Sequence, residues 1–149
     1  MTLTSRRLVS QVSDSRTIEA VIFDMDGVIV DSELHWKTLE GFFLQSLVQR
    51  WDDEAQSKII GLSVHNLYTM LVEQYGMVKS KEEFLTIYNE MAREIYEQRA
   101  SLLPGFTKLL TELTMSGLAL ALASSSPRAW IDMALKRFSL RDSFSIVVS

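Results

Sequence analysis

Cysteine is absent from the chain, and histidine and proline occur only twice each. Without cysteine, disulfides and thiolate metal sites are excluded. Two histidines are too few for a multi-histidine zinc centre to be expected. No apolar run approaches the length needed to cross a bilayer. An excess of positive charge is also missing, since 15 Lys and Arg stand against 19 Asp and Glu for a net charge of −4. That balance argues against nucleic acid or any general polyanion as a partner. A bound phosphate would have to be held locally, by N–H groups, hydroxyls and a metal. Residues 1–17 are rich in Ser and Thr and carry Arg6, Arg7 and Arg16, but lack the apolar centre of a secretory signal. They read as a disordered extension rather than a transit peptide, and the chain reads as cytoplasmic. What remains is a chain of 149 residues, 47% hydrophobic, enough for one domain or one domain with a small insertion.

The stretch from Ala20 to Ser32 organises the rest. Ala20-Val21-Ile22-Phe23 is short, β-branched and aromatic, and lacks polar alternation, so it predicts a strand buried on both faces of a parallel sheet. It stops on Asp24 and Asp26, followed by Gly27. The C-terminal end of a strand is where open α/β sheets place their ligands. Two acids one residue apart repel each other unless a cation lies between them, and carboxylate oxygens are ligands that Mg²⁺ prefers. With the metal in place, Asp24 can act as a nucleophile while Asp26 handles protons. Gly27 lets the backbone turn sharply and brings N–H groups close to an anion. The combination suits phosphoryl transfer through an aspartyl-phosphate.

After the motif the period becomes helical. Leu39, Phe42, Phe43 and Leu47 predict one buried helix face. The segment from Trp51 to Ser57 reads as loose and polar. A second helix is expected within the stretch Leu62 to Tyr75, ended by Gly76. Ser80 and Glu83 form a capping box for a long helix reaching about Arg99, with Phe84, Tyr88, Met91 and Ile95 as its stripe. The aromatic and Met residues of this block read as core packing. After the breaker Pro104-Gly105, residues Phe106, Leu109, Leu110 and Leu113 predict another helix, closed by Gly117. Leu118 to Ala123 is a second apolar strand ending in three serines. Ser126 is expected to cap the next helix, with Pro127 in its first turn and Ile131, Ala134, Leu135 and Phe138 as its stripe. Ser145 to Val148 begins a third strand. The order predicts an α/β class fold, a parallel Rossmann-like sheet core interrupted by an all-helical insertion. The boundaries expected are a core of residues 18–33 and 101–149 and a helical cap of residues 34–100. Ser124 follows the second strand as Asp24 follows the first, so both open on one sheet edge if the strands are parallel.

Phe23-Asp24-Met25-Asp26-Gly27-Val28-Ile29-Val30-Asp31-Ser32-Glu33 resembles the first motif of the haloacid-dehalogenase-like hydrolases, in the subgroup of β-phosphoglucomutase and small sugar-phosphate phosphatases. Leu102-Leu103-Pro104-Gly105, Ala123-Ser124-Ser125-Ser126-Pro127 and Leu140-Arg141-Asp142-Ser143-Phe144 look closest to hexitol-phosphate and 2-deoxyglucose-6-phosphate phosphatases. The resemblance implies a Mg²⁺-dependent phosphatase of a small phosphorylated metabolite. Asp24 would be nucleophile and metal ligand, and Asp26 acid–base and metal ligand. Ser124, Met25 and Gly27 would hold the phosphate. It also implies a mobile cap, hinged near Asp31 and Ser32. Two departures weaken the alternative of a sugar-phosphate mutase: the mutases' histidine is Trp36 here, and their arginine is Val64. The family's lysine and second acidic pair belong beyond the third strand. The expectation is therefore a truncated core, incomplete at the C-terminus, with weak or no activity alone. A non-catalytic fragment is the other alternative. His35 and His65 receive no role.

Overall fold

The computed structural model describes residues 18–149. The extension expected over residues 1–17 lies outside the described residues. Ala20–Phe23 (β1), Ala119–Ala123 (β2) and Ile146–Val148 (β3) form a parallel sheet in the order β1-β2-β3. Phe23 pairs with Leu122, and Leu122 with Val147. Asp24 and Ser124 therefore leave adjacent strands at the same edge.

Among the described residues the sheet is covered on one face, not two. Phe23, Leu120 and Leu122 are buried, whereas Ile22 is 71% and Ile146 60% exposed. Topology explains the difference. Parallel crossovers are right-handed, and an order that advances steadily from β1 to β3 puts both crossovers on one side. On that side the helices Phe106–Met115 (α5) and Arg128–Arg137 (α6) contribute Phe106, Ile131 and Leu135 to the core cluster. Phe106 and Phe144 each meet Phe23 edge-on, with ring centroids 5.6 and 6.1 Å apart.

Between β1 and α5 lies the helical block: Glu33–Leu47 (α1), Asp53–Lys58 (α2), Val64–Tyr75 (α3) and Lys81–Glu94 (α4). The segment expected to be loose contains α2, because Asp52 caps it by accepting from the Ala55 N–H at 2.9 Å. In α1 the buried side chain is Leu44, and Phe42 is exposed. In α5 Leu109 turns outward while Phe106 and Leu110 are buried. The capping box of Ser80 and Glu83 forms as expected, and Gly76 ends α3 with φ of 66°. The long helix changes character before its end: Ile95–Arg99 is a π-helical turn, closed by the Ala100 N–H on the Ile95 carbonyl at 2.8 Å. The extra residue brings two consecutive side chains, Ile95 and Tyr96, into the core.

The block is joined to the sheet layer by polar and aromatic contacts. Asp31 N–H bonds the Ser101 carbonyl, and Leu103 N–H bonds the Ile29 carbonyl, so the outgoing and returning chains lie side by side. Arg137 of α6 donates to the Tyr96 and Gln98 carbonyls at 3.2 Å each, satisfying acceptors at the end of the π turn. Trp36 stacks on Trp130 at 5.0 Å between centroids and on Tyr88 at 5.9 Å.

Candidate active site

The turn after β1 is tightly bonded. The N–H groups of Ile29 and Val30 both reach the Met25 carbonyl, and Gly27 N–H reaches Val30 O at 2.9 Å. Gly27 has φ of +72°, a conformation that costs any L side chain energy. Its N–H is thus committed within the turn. Met25 N–H is bonded to its neighbour's carboxylate, Asp24 Oδ1, at 2.7 Å, and the Met25 side chain is buried. Asp24 itself is exposed.

Asp26 is the most heavily bonded group of the site. Its Oδ1 accepts from Tyr96 Oη at 2.7 Å and from Ser32 Oγ, and its Oδ2 accepts from Ser126 Oγ at 2.9 Å. Tyr96 in turn accepts from Trp36 Nε1 at 3.0 Å. Burial, together with the neighbouring Asp26 charge, raises the Tyr96 phenol well above its usual range. The phenol therefore stays protonated and donates.

Ser126 does not cap α6, the expectation from its place before Pro127. Pro127 occupies the N-cap, with no side-chain hydrogen bond, and the Ser126 hydroxyl is drawn to Asp26 instead. A charge-assisted bond to a carboxylate is stronger than one to a helix-end amide, so the acid wins. Ser124 sits half-buried at the end of β2, its Oγ accepting from Ser126 N–H at 3.1 Å and its N–H bonded to Val148 O. Ser126 and Tyr96 were not legible as site residues: they are 100 and 70 positions from Asp26. Only the run of serines after a strand pointed towards the first.

The site opens into a cavity of about 770 Å³ between the sheet edge and the helical block. Asp24, Asp26, Ser125 and Ser126 form its floor, and residues of α1 to α4 its far wall. Glu40 and Tyr88 lie on that wall. Burial pushes the Glu40 carboxyl up to about 7, against the opposing effects of Tyr88 and Gln56. Among the described residues no three metal-ligating side chains converge. Both oxygens of Asp26 are already taken by hydroxyls, so a cation would find Asp24 as its main protein ligand. Mg²⁺ commonly takes one or two carboxylates and completes its shell with water and substrate phosphate.

Fold and site together define a Rossmann-like α/β protein with a carboxylate pair at the sheet edge, enclosed by a helical insertion. The chain belongs to the haloacid dehalogenase-like hydrolases, whose family model matches residues 21–149. It is 31% identical over 142 residues to hexitol phosphatase B of Escherichia coli K12, covering 93% of this chain and 63% of that protein. It is 27% identical to a phosphorylated carbohydrates phosphatase of Thermotoga maritima, covering 88% and 61%. A solved structure from Thermotoga maritima, assigned as a β-phosphoglucomutase, superposes with a TM-score of 0.63 at 27% identity, covering 88% and 61%. Rhodobacter sphaeroides CbbY in complex with phosphate superposes at 0.66, covering 89% and 64%; at 20% identity it shows the fold alone. The chain spans about three-fifths of the length of the curated relatives it matches. No helix among the described residues is long and apolar enough to cross a membrane.

Proposed function

We propose that the chain carries the nucleophile-bearing part of a divalent-cation-dependent phosphatase of small sugar or polyol phosphates. One observation carries the reading: Asp24 and the Ser124 to Ser126 turn end adjacent parallel strands, with Asp24, Ser125 and Ser126 on the floor of one cavity. An Asp24 carboxylate oxygen attacks phosphorus, the bond from phosphorus to the ester oxygen breaks, and Asp26 delivers a proton to the leaving alkoxide. Water then attacks phosphorus, gives its proton to Asp26, and frees Asp24 and inorganic phosphate. Ser32, Tyr96 and Ser126 orient Asp26 for both transfers. Ser124 and the N–H groups of the turn containing Met25 and Gly27 hold the phosphate, which requires those donors to exchange their present partners. Bound Mg²⁺, held through Asp24, would offset the charge of the phosphate dianion. Residues 34–100 act as the cap, excluding water from the cavity. The reaction would take place in the cytoplasm, on the soluble metabolite.

Trp36 favours hydrolysis over mutase chemistry. Its indole is locked between Trp130 and Tyr88 and donates to Tyr96, so it shuttles no proton. The test is hydrolysis of a panel of sugar and polyol phosphates with Mg²⁺ by a chain completed to the length of its relatives, beside Asp24→Asn. The substitution should reduce turnover at least a thousandfold, to the level of the uncatalysed background. Turnover that survives it would remove Asp24 as the nucleophile.

A further inference from the structure

The far wall of the cavity holds a polar pair that the chemistry at the sheet edge does not use. Tyr88 is 1% exposed, and among the described residues its hydroxyl makes no well-formed hydrogen bond; it only faces the Glu40 carboxyl. Leaving such a group unpaired is costly, so a native structure keeps one where something else completes it. Both residues line the same cavity as Asp24. Glu40 is steadied from behind: Gln56 Nε2 donates to its Oε2 at 3.4 Å, and Gln56 Oε1 accepts from Trp51 Nε1 at 2.8 Å.

Charge narrows what that partner is. Among the described residues the cavity is lined by Asp24, Asp26, Glu33, Glu40 and Asp53 against one ammonium, Lys37. A second phosphate or a carboxylate on the ligand would face like charge in a partly enclosed space. A neutral chain bearing hydroxyls would not, and each hydroxyl both donates and accepts. We propose that Glu40 and Tyr88 form a hydroxyl-binding subsite that selects monophosphates with an uncharged polyol tail and rejects bisphosphates and phosphorylated acids. The idea rests on the phosphatase reading above, because it uses the Asp24 end of the cavity as the phosphate anchor. Glu40 contacts the terminal hydroxyls, and Tyr88 turns its free hydroxyl to the same cluster. The cavity, at about 770 Å³, lies within the range of small-ligand sites.

The experiment is calorimetric titration of the 149-residue chain, in Mg²⁺, with inorganic phosphate, sorbitol 6-phosphate and fructose 1,6-bisphosphate. Sorbitol 6-phosphate should bind at least tenfold more tightly than either of the others. Tyr88→Phe should weaken it about five- to tenfold, the effect of one lost hydrogen bond, and leave phosphate unchanged. Because the hydroxyl makes no well-formed hydrogen bond in the free protein, the same variant should melt at the same temperature as the parent or higher. Glu40→Ala should weaken sorbitol 6-phosphate further. Equal affinities for the three ligands, or a Tyr88→Phe chain with an unaltered ratio of sorbitol 6-phosphate to phosphate affinity, would overturn the subsite. Failure of all three ligands to bind would instead overturn the phosphate anchor, and the subsite with it.

Discussion

Asp26 shows how much one side chain can organise. Its two oxygens gather hydroxyls from the turn after β1, from the end of the helical block and from the turn after β2. Tyr96 matters most among the three, because it is fully buried and also takes the Trp36 indole proton. Tyr96→Phe should therefore destabilise the fold by about 1–3 kcal/mol in urea titration, through one unsatisfied buried donor and one lost bond to a carboxylate. Glu40 gives a prediction of different kind. Its folded value of about 7 lies above the ordinary 4.5, so the folded state holds the proton more tightly than the unfolded one. Its contribution to stability is intact below 4.5 and is lost as pH rises through 7. Glu40→Gln should match the parent near pH 4.5 and exceed it by about 2 kcal/mol above pH 7, measured by urea unfolding at a series of pH values. A constant difference across that range would show that Glu40 ionises as freely as in water. The place of the two aspartates at a strand end was readable from the sequence because a strand and its terminal acids are local. Glu40 and Tyr96 were not, since their roles arise from what the chain packs around them.

At the scale of elements, the junction between the helical block and the sheet layer is held by a few side chains. Trp130 of α6 stacks on Trp36 of α1 and donates Nε1 to Asn89 Oδ1 of α4 at 2.8 Å. Trp130→Leu removes the stack and leaves the Asn89 oxygen without that donor, at an expected cost of about 2–4 kcal/mol. Hydrogen exchange should locate the effect, with α4 and the following π turn losing protection before the sheet does. Uniform loss everywhere would mean that the block and sheet unfold as one unit. The helices with strong local signals were legible: Ser80 with Glu83 starts α4, and Gly76 ends α3, because caps act within a few residues. The missed features were of two kinds. α2 is six residues long and begins on an Asp cap inside a polar run, too short for periodicity to register. The π turn at Ile95–Arg99 answers a tertiary demand, the placing of Tyr96 against Asp26, for which the local sequence carries no mark.

At the scale of the molecule, the one-sided sheet has a consequence for solution behaviour. Ile22, Ala121 and Ile146 lie in register across the three strands, so the face left bare among the described residues presents a continuous apolar row. Ile22 and Ile146 are largely exposed, as are Ile18 and Val148 beside them. A continuous patch of this kind on a parallel sheet favours burial against a second surface, and at micromolar concentration the nearest one is another copy of the chain. The continuous apolar run of β1 was read as burial on both faces, and the residues do have that character. What the sequence pattern could not supply was which side each crossover takes, a matter of handedness and strand order. Replacing Ile22 and Ile146 together by Thr keeps a β-branched side chain in each strand while adding a hydroxyl to the bare face. Sedimentation velocity should find the parent chain partly self-associated and the double variant predominantly monomeric, with unfolding free energies within about 1 kcal/mol of each other because neither side chain is in the core. A monomeric parent would show that the row is too narrow to drive association. A variant that unfolds would show that the two isoleucines stabilise the sheet through their cross-strand contact with Ala121, and not through the surface they expose.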